Sequence, residues 1–277
     1  MSEISCVIVS YNSSKELPSC LEALRDIPGI ELIVVDNASS DDSCAIALDY
    51  GARVIANSTN VGFAGGVNVG VMAATEGRDV LLLNPDCQVN RRCIRSLAAR
   101  LRDNRQFGIV APMMQYPDGS IGISGGSRPS LLKEWAAAFQ LDRCVPNAVA
   151  RSILRVLHPV LPDSFVHYLG TAKDGRLHRV DWVSGFCMLI RRDVLTSIGG
   201  LSERFFLYFE DVDLCERANE AGWFCGIDAS VAALHSESSA ALRVGKSKLY
   251  FDGVVAYFSP RGLLARTSCR ALRRLAS

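Results

Sequence analysis

The sequence holds ten cysteines, yet it lacks any C-x-x-C pair. The cysteines stand at 6, 20, 44, 87, 93, 144, 187, 215, 225 and 269, with no Cys/His cluster of zinc spacing. A structural zinc site and a redox dithiol are thereby excluded. Most of the thiols sit in apolar strings such as Ile4-Ser5-Cys6-Val7-Ile8-Val9, where a free cysteine acts as a small hydrophobe. Long hydrophobic runs are missing too, since no stretch approaches the roughly 20 apolar residues that span a bilayer. Met1-Ser2-Glu3 leads straight into an apolar strand, without the basic segment and cleavage site of a secretion signal. The expected location is therefore cytoplasmic, with reduced thiols. Charge of one sign is scarce: the formal net charge is +1, which gives no electrostatic ground for a nucleic-acid partner. The G-x-G-x-x-G of dinucleotide-binding folds does not follow the first strand, where Ser10-Tyr11-Asn12-Ser13-Ser14 stands instead. A nucleotidyltransferase would show a Gly-rich loop with Arg and Lys at that same place, and none is there.

What is present is an alternation. Ile4 to Ser10, Ile30 to Val35, Arg53 to Ala56, Val80 to Asn84 and Gly108 to Ala111 read as short strands rich in Val, Ile and Leu. Helical spacing fills the gaps, over Ser14 to Asp26, from the capping string Asn37–Asp42 to Gly51, over Gly65 to Thr75 and over Asn90 to Asn104. Such a pattern predicts an α/β fold, a Rossmann-like and mostly parallel central sheet with helices on both faces. From 113 to 180 the periodicity fades into Gly, Pro and Ser, with helical stretches around 131–139 and 147–157. Regularity returns with a strand over Val180 to Ile190, a helix over Phe209 to Ala221 and a strand over Phe224 to Leu234. The expected organisation is one main domain over 1–240 carrying a variable insert at 113–180, read as a specificity insert, then a helical tail over 241–277. That tail bears Arg261, Arg266, Arg270, Arg273 and Arg274 among leucines and has no acid after Ser259. It suits either an anionic membrane surface or plain solvent.

Ligands of open parallel sheets bind outside the carboxyl ends of the strands. The polar residues there are Ser10-Tyr11-Asn12, Asp36-Asn37, Asn57 to Asn60, and Asn84-Pro85-Asp86. Asp36 is placed to accept hydrogen bonds from a nucleoside, or else to serve as a loop residue beside the next helix. Asn60-Val61-Gly62-Phe63-Ala64-Gly65-Gly66 opens a helix, where backbone N–H groups cradle phosphate or glycines permit close packing. Asp86 ends a strongly apolar strand, as suits a metal ligand on a diphosphate, or a turn residue after Pro85. Glu210, Asp211 and Asp213 open a helix behind the aromatic run Phe205 to Phe209. Acids in a first turn favour the helix dipole, and one in an apolar pocket can also take a proton. His235, after a strand, offers a second metal ligand.

Taken together, these strings resemble the inverting family 2 glycosyltransferases of the GT-A fold, and within them the bacterial rhamnosyltransferase-like members. The matching strings are Val7-Ile8-Val9-Ser10-Tyr11-Asn12, Val34-Val35-Asp36-Asn37-Ala38-Ser39-Ser40-Asp41, Asn60 to Asn68, Leu83-Asn84-Pro85-Asp86, and Phe209-Glu210-Asp211-Val212-Asp213-Leu214-Cys215-Glu216-Arg217. They come in family order from residue 4 to about 240. The resemblance implies a nucleotide-sugar donor, dTDP-rhamnose first and UDP-hexoses next, and a saccharide or lipid-linked acceptor in cell-surface polysaccharide synthesis. It implies Mg2+ or Mn2+ held by Asp86 and His235. Ser10, Tyr11, Asp36, Asn60, Gly65, Asn84 and Asp86 would bind the donor, and Asp211 would be the general base. Trp182, Gly185, Glu210 and Asp213 would shape or position the acceptor and sugar. One departure stands out: Asn84 occupies the first position of the usual Asp-x-Asp, leaving a single carboxylate. The Gln-x-x-Arg-Trp string of processive members is absent, so one transfer per encounter is expected.

Overall fold

The apolar strands carry hydrophobic side chains on both faces, and the computed structural model shows why. It describes residues 3–131, 174–236, 248–262 and 267–269. In chain order the elements are β1 (Ile4–Ser10), α1 (Leu17–Leu24), β2 (Ile30–Asp36), α2 (Ser43–Asp49), β3 (Arg53–Ala56), α3 (Gly62–Ala73), β4 (Asp79–Leu83), β5 (Cys87–Gln88), α4 (Arg91–Asp103) and β6 (Phe107–Gln115). There follow β7 (Gly125–Gly126), β8 (Leu177–Val180), β9 (Trp182–Val183), β10 (Cys187–Ile190), α5 (Arg192–Ile198), α6 (Glu210–Glu220), β11 (Phe224–His235), α7 (Lys248–Phe258) and a 3-10 turn at Ser259–Arg261. In β1, Ile4, Cys6 and Ile8 enter one core while Val7 and Val9 enter the other. This is the period-two alternation of a strand covered on both sides.

The main sheet runs β3-β2-β1-β4-β10-β6-β11-β5, with β8 beside β11. β3, β2, β1 and β4 are parallel, β10 lies antiparallel between β4 and β6, and β11 is parallel to β6. The sheet is thus mostly parallel, as the alternation predicts, but the antiparallel β10 at its centre is new. Helix α4 covers one face through Cys93, Ile94, Leu97 and Leu101, with arginines outward, and Asn90 caps it by accepting from the Cys93 N–H at 2.9 Å. Helix α3 covers the other face.

Several element boundaries depart from the sequence reading: α3 begins at Gly62 rather than Gly65, and β6 extends the expected Gly108–Ala111 strand in both directions. The first helix begins at Leu17 rather than Ser14, because the Ser13 and Ser14 N–H groups are given to Ser43 Oγ and Asp41 Oδ2, both at 2.9 Å. The second follows the expected capping string directly, with Asp42 at the N-cap position, though without a side-chain cap bond. The single strand expected over 180–190 is broken, because Ser184 turns its N–H to Ser124 O and Gly185 turns its own to Asp211. The helical stretches expected around 131–139 and 147–157, and most of the 113–180 insert, lie outside the described residues. Cys6, Cys20, Cys87, Cys93, Cys187, Cys215 and Cys225 are buried free thiols and Cys44 is a partly exposed one, in keeping with the sequence reading.

The described part of the expected tail is helical. Helix α7 packs Val254, Tyr257 and Phe258 against Phe205, Phe209 and Val212 in a third apolar cluster. Arg261, read from sequence as part of a basic tail, is committed to Glu216 on α6 and lies over the Tyr257 ring. Arg266, Arg270, Arg273 and Arg274 lie outside the described residues. Among the described residues no helix is long and apolar enough to cross a membrane.

The seat of α3 on the sheet is tight. A Cβ on Gly66 would stand 2.7 Å from Val9 Cγ1, and one on Gly70 would press still closer on Val7. Overpacking of this kind costs about 1–3 kcal/mol, more than alanine returns in helix propensity. Gly70→Ala should therefore lower the unfolding free energy by about 1–2 kcal/mol in urea denaturation. An unchanged midpoint would show that α3 does not seat this closely.

Candidate functional site

One edge of the sheet gathers the chemistry. The carboxyl ends of β1, β2, β3 and β4 lie there by their parallel register. Because β10 runs the other way, its start lies at the same edge, with Cys187 opposite Leu83. Strand β11 ends there too, with His235 opposite Cys87. A cavity of about 440 Å³ opens at this edge, lined among others by Tyr11, Asn37, Asn60, Phe63, Asn84, Asp86, Phe206 and Leu249.

At the β1–β2 side, Ser10 and Asp36 are register partners and both are buried. Asp36 Oδ2 accepts from the Ser39 N–H at 2.9 Å, while Asp36 Oδ1 and Ser10 Oγ are buried without a partner. Such orphan groups are rare in native proteins and mark places where a ligand completes the bonding. Loop 10–14 is stapled to loop 36–43, through Asn12 Oδ1 accepting from the Ser40 N–H at 2.8 Å and through the Ser13 and Ser14 bonds. Asn12 and Ala38 take φ of 51° and 62° in these loops. Tyr11 is half exposed at the cavity wall.

Sequence reasoning placed Asn37 on the rim but missed its role. It is buried, donates Nδ2 to Gly62 O at 2.9 Å, and accepts from Asn57 Nδ2 at 2.8 Å. It thereby joins the ends of β2 and β3 to the start of α3. Asn60 accepts from the Gly62 N–H at 2.9 Å and lines the cavity. Gly62, at φ 79°, lies against the Phe206 backbone, where a Cβ would stand 2.6 Å from the carbonyl oxygen. Only glycine fits there. Gly65 is one turn inside α3, buried, and its missing Cβ faces Val61 rather than the cavity.

Asp86 sits in a turn whose ends are fixed. The Asn84 N–H donates to Phe186 O and the Ser236 N–H donates to Asp86 O, both at 2.9 Å. His235 Nε2 lies 3.2 Å from Asp86 Oδ1, and the Cys87 thiol completes a group whose ligand atoms all lie within 4.8 Å of one another. His235 Nδ1 is buried without a hydrogen-bond partner. A carboxylate and an imidazole converge here beside the cavity, which fits a divalent cation retaining open positions for phosphate and water. Cys87 fits less well, since burial pushes its thiol well above the ordinary range and favours S–H.

Across the edge, Asp211 opens α6. Its Oδ2 accepts from the Gly185 N–H at 3.0 Å and its Oδ1 from the Val212 N–H at 2.8 Å. A Cβ on Gly185 would lie 3.6 Å from both Asp211 Cβ and Phe63, in ordinary contact, so space alone does not demand glycine here. Burial raises the proton affinity of Asp211 despite those two bonds. Glu210 is buried with Oε2 unpartnered, and desolvation, then the charge of Asp211, pushes its carboxyl up to about 8. Asp213 is not brought to this group. Two residues along a helix lie about 200° apart, and Asp213 instead meets Arg204 and, at 2.7 Å, Arg217. Trp182 gives its Nε1 to Ser127 O and packs into the core. Of the six buried side-chain polar atoms without a partner among the described residues, four belong to Ser10, Asp36, Glu210 and His235. All four are residues that sequence reasoning had put at the site.

A family model described as Glycosyl transferase family 2 matches residues 5–199. N-acetylglucosaminyl-diphospho-decaprenol L-rhamnosyltransferase of Mycobacterium tuberculosis is 28% identical over 261 residues, covering 84% of this chain and 75% of its own. The low-salt glycan biosynthesis hexosyltransferase Agl10 of Haloferax volcanii is 27% identical over 256 residues, covering 91% and 73%. Among solved structures, the mannosyltransferase PcManGT from Pyrobaculum calidifontis, in complex with GDP-Man and Mn2+, superposes with a TM-score of 0.60. It is 15% identical, over 99% of this chain and 68% of that one. TarS 1-349 of S. aureus in complex with UDP gives 0.59 at 16% identity, over 98% and 69%. At such identities these structures share the fold.

The raised Glu210 carboxyl makes stability depend on pH. Unfolded, the group ionises near 4.5, whereas folded it keeps its proton to about 8. Stability is therefore unaffected by this group below the unfolded value and falls as pH rises between the two. Glu210→Gln should flatten that fall, so that wild type and variant differ by on the order of 1–3 kcal/mol more at pH 8 than at pH 4.5 in chemical denaturation. Parallel pH profiles would mean that Glu210 is ionised in the folded protein.

Proposed function

The chain belongs to glycosyl transferase family 2, and from that membership we propose that it is an inverting hexosyltransferase of cell-surface glycan synthesis. The donor proposed first is dTDP-rhamnose, with UDP-hexoses next, and the acceptor is a hydroxyl of a saccharide or lipid-linked saccharide. The relative from M. tuberculosis, whose printed name specifies L-rhamnose transfer to a lipid diphosphate saccharide, supports this choice. The observation that carries the reading is the short link between two polar pairs: Asp86 lines the cavity with His235 3.2 Å from it, the Asn84 N–H of the same turn donates to Phe186 O, and the adjacent Gly185 N–H donates to Asp211, next to Glu210.

In this proposal the nucleoside lies over Tyr11 and meets Ser10 and Asp36, whose unpartnered oxygens await donors or acceptors. Asn60 and Asn84 line the path of the diphosphate. Asp86 and His235 would hold Mg2+ or Mn2+, which when bound supplies positive charge to the departing diphosphate. Asp211 takes the proton of the acceptor hydroxyl as its oxygen attacks the anomeric carbon, and the bond to the diphosphate breaks on the opposite side. One displacement inverts the centre. The two N–H groups on Asp211 fix its orientation, and its burial makes it a stronger base than a solvated aspartate. Glu210, which keeps its proton at neutral pH, spares the pocket a second negative charge. Gly185 shapes the acceptor side, with Trp182 behind it in the core.

Thermal unfolding with dTDP, UDP and their sugars, with and without manganese, tests the donor site. A ligand at about 100 times its Kd adds about 2.7 kcal/mol. The expected result is a metal-dependent rise with one nucleotide class, lost in His235→Ala. With the responding donor, Asp211→Asn should cut kcat by about 10²–10⁴-fold and leave nucleotide binding unchanged. Binding without turnover in wild type would instead favour a non-catalytic sugar-nucleotide-binding protein.

The residues after Arg261 would bring the enzyme to an anionic membrane surface, through Arg266, Arg270, Arg273 and Arg274. Replacement of Arg266, Arg270, Arg273 and Arg274 by Gln should weaken sedimentation with phosphatidylglycerol vesicles and spare donor hydrolysis. Equal sedimentation of both chains would remove the membrane role.

A further inference from the structure

Two residues immediately before the acid pair are strained. Tyr208 and Phe209 both hold φ of 71°, the left-handed region that is costly for residues with a Cβ. Phe209 is also the N-terminal cap position of α6, without a side-chain cap bond. Conformations of this kind persist where the surroundings over-determine them. Here the surroundings are helix α7. Gly253 lies so close to the turn that a Cβ there would stand 2.7 Å from the Tyr208 carbonyl oxygen and 3.1 Å from the Phe209 ring. The Phe209 ring is buried against Tyr250 and Tyr257, with centroids at 5.4 and 5.3 Å. Beyond α7, Arg261 reaches back to Glu216 on α6, and Arg128 joins the same carboxylate at 3.3 Å.

We infer that α7 and the turn after it are a positioning device for the proposed catalytic acids, with Gly253 the residue on which the device depends. The inference rests on the transferase reading of Asp211. The chain of contact is short. Gly253 admits the Tyr208 carbonyl, the aromatic cluster holds Phe209, and Phe209 O receives the Asp213 N–H at 2.9 Å to start the helix. Asp211 lies within that first turn, with its Oδ2 on the Gly185 N–H. A shift of the turn would move Asp211 off that bond, and a misplacement of about 1 Å in such a group can cost on the order of 100-fold in rate. The catalytic unit therefore extends beyond residue 240 to include residues 248–261.

Gly253→Ala tests this with a sign that propensity alone would not give. Alanine favours the helix itself, so a loss must come from the turn. The expected result is a kcat lowered at least tenfold with nucleotide Kd unchanged within twofold. Amide exchange of residues 208–213, followed by mass spectrometry, should accelerate at least tenfold, while exchange in β1 and β4 stays as in wild type. Ala99→Gly, which weakens helix α4 on the opposite face of the sheet, should lower Tm yet keep kcat. The exchange readout needs no turnover, so its failure is separable from failure of the transferase reading. Wild-type exchange over 208–213 in a folded Gly253→Ala protein overturns the inference. So does a loss of kcat in Ala99→Gly equal to that in Gly253→Ala. Should Gly253→Ala not fold, Arg261→Gln carries the same split: faster exchange at 208–213 and lowered kcat support the device, and wild-type values of both overturn it.

Discussion

The pairing of Leu83 at the end of β4, with Ile8 on one side and Cys187 on the other, governs the rest of the molecule. In a sheet the register of one strand fixes which residues stand at the edge, and a slip of one residue turns every side chain to the other face. With Leu83 in place, the turn Asn84–Cys87 must leave the sheet beside Phe186. Asp86 then meets the end of β11, and Ser184–Phe186 must pass in front of the head of α6. The Asp86–His235 pair, proposed to hold a cation, and the Glu210–Asp211 pair, of which Asp211 is proposed to accept a proton, are thus positioned by the same short apolar strand. Its side chains Val80, Leu81, Leu82 and Leu83 are all buried, which makes the register costly to change.

The first half of the fold was legible because its signals are local. Arg53 to Ala56 is a strand at the expected bounds, and Asn90 caps the expected helix. Hydrophobic period carries no strand direction, however, so the antiparallel β10 in the middle of the sheet could not be read from it. The break at Ser184–Phe186 was hidden for a related reason. Ser184-Gly185 is a turn pair by composition, but it stands within an apolar run, and what holds the bend is an acid distant in sequence. Strand-end positions were legible too, since Ser10, Asp36 and Asp86 all stand at the shared edge. Two side chains were harder. Asp213 looked equivalent to Asp211 in sequence, yet helical geometry turns it toward Arg204 and Arg217. Asn37 belonged to a noted string, but its service as a clamp needs partners at 57 and 62 that only the folded chain supplies.

Backbone strain and unpartnered polar atoms converge on the same region. The described non-glycine residues with positive φ are Asn12, Ala38, Tyr208 and Phe209, all on loops at or beside the site. The unpartnered atoms of Ser10, Asp36, Glu210 and His235 lie there too. Elsewhere among the described residues only Arg78 Nε and Tyr257 Oη are buried without a hydrogen-bond partner. Asp228 is fully buried yet accepts from Ser96, Ser230 and Arg100, a closed arrangement that holds its ionised form and pins β11 to α4. The contrast separates a polar group that stabilises the fold from one held ready for a ligand.

The place of β10 also bears on how the chain is made. β1 to β4 can pair as soon as residue 83 has left the ribosome, but the outer edge of β4 has no partner before residues 187–190. β6 is worse placed, for both of its neighbours, β10 and β11, come later in the chain. At a synthesis rate of about 5–20 residues per second, the stretch from 115 to 187 takes roughly 4 to 15 s. For that interval a nascent chain carries a long apolar strand with both edges open, the arrangement most prone to pairing with another copy. Demand for chaperones in this protein should therefore peak in mid-translation, fall when four residues, Cys187–Ile190, slide between two waiting strands, and end only when β11 covers the remaining edge of β6.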